Sequence, residues 1–95
     1  MHAEEYLALV RECRDENQML EFLKEDRPGV ALELAKSVHT APRILDILTR
    51  HASVTVRHEV AKNKKTPVAT LERLSNDKDM LVRDYARRTV KSLKV

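Results

Sequence analysis

A chain of 95 residues that is 35% charged and 42% hydrophobic, with a single glycine, has room for one domain and little material for the tight turns of a β-rich fold. No uncharged run approaches the ~18 residues of a membrane span, the first residues lack the basic and apolar regions of a secretory signal, and one cysteine, Cys13, excludes an internal disulfide or a cysteine-bound zinc or iron–sulfur site. The expectation is an all-α cytoplasmic protein whose net charge of +3 is unevenly spread, with −4 over residues 1–48 and +7 over residues 49–95.

A leading helix is expected over residues 2–13, where Ala3, Leu7, Val10 and Cys13 fall on one stripe. Asp15 then stands as an N-cap with Gln18 three residues on, the spacing of a capping box. Met19, Phe22 and Leu23 mark the inner face of the following helix, and Pro28 is placed to start a partner helix carrying Val30 and Leu34. Thr40-Ala41-Pro42 opens the next helix, with Ile44, Leu45, Ile47 and Leu48 inward. Ser53 opens its partner, with Val56 and Val60 inward. Thr66-Pro67 reads as an N-cap followed by proline at the first helical position, where the missing N–H costs nothing, and Val68, Leu71 and Leu74 form that helix's face. The turn Asn76-Asp77-Lys78-Asp79 ends on a cap for a last helix. Its stripe is Val82, Tyr85, Ala86, Thr89, Val90 and Leu93.

These elements repeat. A shift of 26 positions superposes Ala35 on Ala61, Lys36 on Lys62, Thr40 on Thr66, Leu45 on Leu71, Leu48 on Leu74, Val56 on Val82 and Arg57 on Arg83. A second shift matches Met19, Phe22, Val30 and Leu34 with Leu45, Leu48, Val56 and Val60. Apolar positions survive best, as a stack of units requires, because each unit buries its face on its neighbour. The predicted architecture is a short α-solenoid in a single domain over 1–95. The leading helix precedes three two-helix units at approximately 15–37, 40–63 and 66–95.

The stretch Val56-Arg57-His58-Glu59-Val60-Ala61-Lys62-Asn63-Lys64-Lys65-Thr66-Pro67, followed by Leu71, Leu74, Asp77 and Val82-Arg83, resembles the variant leucine-rich repeat and the wider HEAT-like class. The resemblance is strongest over 53–86 and fainter over 15–52. It departs at Lys64, where the family often has proline, at Ala31, which replaces the arginine in the first unit, and at the extra residue before Pro42. The resemblance implies an α-solenoid used as a binding scaffold. Some variant leucine-rich repeat proteins hold a cysteine-bound iron–sulfur cluster, which Cys13 alone cannot supply, so no cofactor is expected.

Arg57 and Arg83 share one repeat position. They read either as a ladder for an anionic ligand or as structural ties, since in the HEAT-like plan this arginine reaches an aspartate in a turn, with Asp77 and Asp79 as candidates. Arg83, Arg87, Lys91 and Lys94 form a basic stripe widened by Arg88, and Lys62, Lys64 and Lys65 add a basic loop. With Arg50, His51 and Lys78 in equivalent turns, stacking is expected to bring these residues to one edge. Such an edge suits phosphate contacts, although with only 3% aromatic residues duplex backbone is a better target than stacked single strands. The bland alternative is a solvated end helix with cations near its C-terminus. His39, His51 and His58 lack the spacing of a metal site, and Cys13 reads as a small apolar residue.

No glycine-rich phosphate loop or catalytic constellation is present. The sequence therefore points first to a non-enzymatic scaffold binding another protein, and second to a nucleic-acid-binding module built on the basic half. An enzyme of HEAT-like fold acting on nucleic acid is a third reading without nominated residues. The acidic run Glu12, Asp15, Glu16, Glu21, Glu25 and Asp26 adds self-association through the solenoid ends as a further expectation.

Overall fold

Short polar signals start two of the helices. Asp15 Oδ1 accepts from the backbone N–H groups of Asn17 and Gln18, and Asp79 Oδ2 accepts from that of Val82, so each satisfies donors that a helix start leaves open. In the computed structural model, which describes residues 2–94, the helices are α1 (Ala3–Glu12), α2 (Glu16–Glu25), α3 (Val30–Lys36), α4 (Pro42–Leu48), α5 (Val54–Lys62), α6 (Val68–Leu74) and α7 (Met80–Leu93), with no strand among the described residues. None of these helices is long and apolar enough to cross a membrane.

The odd-numbered helices pack in chain order, α1 on α3, α3 on α5 and α5 on α7. The seven-residue α4 and α6 each pack against the odd helices on either side of them, and α2 against α3 and α4. The molecule measures 40 × 24 × 19 Å, the length expected of four helices side by side at 8–10 Å. The core follows the repeated apolar positions. Met19, Leu34, Ile44, Leu45, Val60, Leu71, Val82 and Ala86 are fully buried, each large side chain contributing roughly 1.5–3 kcal/mol. Phe22 meets Tyr6 edge to face at 5.5 Å, which fixes α1 against α2.

Several expected details differ. Thr40 and Thr66 do not cap the helices that follow them; the N-cap positions are Ala41 and Pro67, without a side-chain bond. Both threonines instead turn back. Thr40 Oγ1 donates to the Leu34 carbonyl at 2.6 Å and Thr66 Oγ1 to the Val60 carbonyl at 2.8 Å, closing the ends of α3 and α5. An open carbonyl inside the core costs more than an open N–H at a solvated helix start, so the hydroxyl goes to the carbonyl. Pro28 lies in a turn, and α3 begins at Val30 behind Gly29, whose φ of +86° suits glycine. Ile47, Leu93 and Ala3, expected inward, are exposed, and Val68 is half-buried. These positions sit at the margin of their stripes, where no second element covers them.

A polar ladder that the sequence reading missed joins the odd helices. Ser37 Oγ donates to the Arg11 carbonyl at 3.0 Å, Asn63 Nδ2 to the Ala35 carbonyl at 2.9 Å and Thr89 Oγ1 to the Ala61 carbonyl at 2.7 Å. Each bond satisfies a carbonyl two residues before the end cap of the preceding odd helix. Residues 37, 63 and 89 are 26 apart, and the chemistry repeats although the residue does not.

Candidate interaction surface

The nine basic residues singled out from the sequence do different things. Arg57 is buried. Its Nε donates to Asp77 Oδ2 at 3.0 Å, and its Nη1 to the carbonyls of His51 and Ala52 at 2.8 and 3.1 Å. Asp77 is equally buried, and its Oδ1 accepts from the Asp79 N–H at 2.9 Å. This fork ties α5 to the turn before α7 and engages both Nε and Nη1 of Arg57. Arg83 repeats the inner half of the pose, with Nη1 on the carbonyls of Asp77 and Lys78 at 2.8 and 3.1 Å. No carboxylate pairs with Arg83 among the described residues.

Lys62 pairs with Glu59 at 3.4 Å and lies over the Tyr85 ring at 5.5 Å, and Arg88 pairs with Asp84 at 2.9 Å. Arg87 donates to the Ser75 carbonyl at 3.2 Å. Lys64, Lys65, Lys91 and Lys94 are exposed and have no carboxylate partner among the described residues. The Thr89–Ala61 bond brings the loop holding Lys64 and Lys65 beside the last turns of α7. The single basic edge expected from stacked turns is not formed. Arg50, Lys78 and Arg83 belong to the turns at the start of the odd helices, whereas Lys62, Lys64 and Lys65 sit at the far end of α5, about 13 Å away along its nine residues. Arg50 is further spent on Asp46.

The histidines are drawn into local structure. His58 Nε2 lies 2.9 Å from Asp79 Oδ2, with its ring edge to face with Tyr85 at 5.8 Å; His51 Nδ1 accepts from the Ser53 N–H at 3.0 Å. The Asp79 carboxyl is held below its usual range, first by the Val82 N–H and then by His58. No three His, Cys, Asp or Glu side chains converge as metal ligands among the described residues. Cys13 is half-buried, with its thiol 3.5 Å from the Asp15 carbonyl.

Two features lay outside the sequence reading. The first is an exposed apolar row. Pro28, Val54 and Met80 lie 26 residues apart at the starts of α3, α5 and α7, with Met80 68% exposed and Leu81 beside it 52% exposed. The second is a cleft of about 320 Å³ beside this row, lined by Arg27, Pro28, Ala31, His51, Thr55 and Val56 among others. Ala31 and His51 stand where the next junction has Arg57 and Asp77, and a recess of about the same volume lies at that junction too, lined by Arg50, His51, Arg57 and Asp77 among others. No family model, no curated protein and no solved structure matches the chain.

Proposed function

We propose that the chain is a short α-solenoid of HEAT-like units serving as a non-enzymatic scaffold, which binds a segment of another protein along the edge marked by Pro28, Val54 and Met80. The observation that carries this reading is the exposed apolar row. Val54 and Met80 stand with Pro28 at matched positions on successive helices, and apolar side chains placed at a common repeat position fit a protein partner better than scattered ones such as Leu9 and Val38. At 8–10 Å per helix the row spans roughly 20 Å, which matches about six residues of extended peptide. The cleft at Ala31 offers a recess for one anchoring side chain. A selection from displayed random peptides tests the proposal. Enriched peptides should carry apolar anchors, bind the wild type and lose at least tenfold in affinity to Val54→Asp/Met80→Asp. Peptides that bind both proteins equally refute the assignment of the edge.

A second reading, binding to nucleic-acid backbone, rests on Lys64, Lys65, Lys91 and Lys94, which have no carboxylate partner among the described residues and share one end of the molecule. It requires affinity for duplex to fall steeply with salt. Absence of gel retardation at low salt and micromolar protein rejects it.

A further inference from the structure

We propose that the outer faces of α7 and α1 are complementary, so that the basic face of one copy docks head to tail on the acidic face of a second copy. The argument starts from the ties inside the molecule. Where ion pairs join successive odd helices, the cation sits on the earlier element and the carboxylate on the later one. Arg11 of α1 forks Glu33 of α3 through Nε and Nη2, both at 3.1 Å; Arg57 of α5 reaches Asp77 before α7; His58 of α5 meets Asp79 at the α7 cap. The odd row therefore has a direction, cation forward and acid backward, whereas the even helices run the other way, with Arg43 of α4 on Glu16 of α2 and Arg73 of α6 on Asp46 of α4.

The two outermost odd helices continue that pattern into solvent. Shifted by 26 residues, the forward-reaching positions 57, 58, 61 and 62 of α5 become Arg83, Asp84, Arg87 and Arg88 of α7. Arg83 is the most informative. It holds the two backbone carbonyls that fix the Arg57 pose one unit earlier, yet the guanidinium edge that Arg57 gives to Asp77 carries no carboxylate among the described residues. Arg87 and Lys91 extend the same face. At the other end, the polar ladder aligns α1 with α3 at a shift of 24, which places Leu9 where Glu33 receives Arg11. Leu9 is 53% exposed and is flanked one turn either way by Glu5 and Glu12, which are exposed and without ion-pair partners among the described residues. A pre-oriented arginine, a basic stripe and an acidic helix face of matching direction are thus carried by one chain.

The contact is heterologous, so it propagates into chains or a ring instead of closing at a symmetric dimer. An end face bounded by 24 × 19 Å buries about 900 Å² in total, below the usual size of a stable complex, so the association is weak and shows itself only at high protein concentration. These faces lie apart from the apolar row, and the inference does not depend on that row binding a peptide.

Sedimentation velocity on the whole chain tests it, from about 10 µM to about 1 mM and at about 20 mM and 500 mM salt. The sedimentation coefficient should rise with concentration, continue past the dimer value at low salt and fall back at high salt. Arg87→Glu/Lys91→Glu and Glu5→Lys/Glu12→Lys alter only exposed side chains, and their helicity and melting should show them folded. Each alone should remain monomeric, and an equimolar mixture should associate again. A wild type that stays monomeric at about 1 mM in low salt overturns the proposal, as does association that both reversals leave intact.

Discussion

Asp77→Asn isolates the buried fork. The substitution keeps a side-chain oxygen for the Asp79 N–H but turns an amide N–H toward Arg57 Nε, so donor faces donor and a guanidinium with only 7% of its side chain exposed loses its counter-charge. Two carbonyls still hold Nη1, which limits the damage. Removing one partner of a buried pair typically costs 3–5 kcal/mol, and the remaining bonds place this site near the lower figure, about 3 kcal/mol. For a domain of this size that is a fall in melting temperature of about 15 °C. Urea and thermal denaturation of the wild type, Asp77→Asn, Arg57→Met and the double variant complete a cycle. The double variant should recover most of the loss, because two neutral groups leave no unpaired charge. The junction between α3 and α5 already stands on Ala31 and His51 in these positions. A cost below about 1 kcal/mol for Asp77→Asn, or a coupling energy near zero, refutes the assignment of this fork as the tie between α5 and α7.

Asn63→Ala removes bonds to the carbonyls of Ala35 and Ser37 and the acceptor for the Lys65 N–H, so it should cost about 2–3 kcal/mol. Thr89→Val, which loses one bond, should cost about 1 kcal/mol, and denaturant melts that rank the two the other way contradict the ladder. Asp79 contributes stability above the unfolded carboxylate pKa near 4, and this is lost as pH falls through the depressed folded value. The difference in melting temperature between wild type and Asp79→Ala should therefore shrink as pH falls below about 4; a difference unchanged through the acid range refutes it. Gly29→Ala places a Cβ 3.2 Å from a Leu7 methyl at a backbone of φ +86°, so it should destabilise by about 1–2 kcal/mol, whereas a neutral result shows that the turn relaxes.

The extent to which the fold was legible follows from how its signals are written. Leu45/Leu71, Leu48/Leu74 and Val56/Val82 are identical across the shift, and all are buried. The ladder at Ser37, Asn63 and Thr89 was not legible, because three different residues make one kind of bond and identity does not survive the shift. Thr40 and Thr66 were visible as a repeated pair but assigned to the wrong helix end. A threonine before proline can cap forward or turn back, and only the burial of the Leu34 and Val60 carbonyls decides between the two. The expectation of a single basic edge fails because Arg50, Lys78 and Arg83 lie at the starts of odd helices and Lys62, Lys64 and Lys65 at the end of one, a helix length away, which the alternation of helix starts and ends along the chain already contains.

By itself the sequence determined seven helices, their order, most of their inner faces and the 26-residue period, because helix propensity, capping and apolar spacing act over a few residues and leave their mark locally. Only the tertiary structure decided which cations are consumed. Arg57 and Arg83 share one repeat position, each after a valine. Arg57 is closed off by Asp77, 20 residues later, while Arg83 keeps an edge with no carboxylate among the described residues. Charge pairing depends on where another element arrives in space, and that arrival also puts Ala31 in the lining of a cleft.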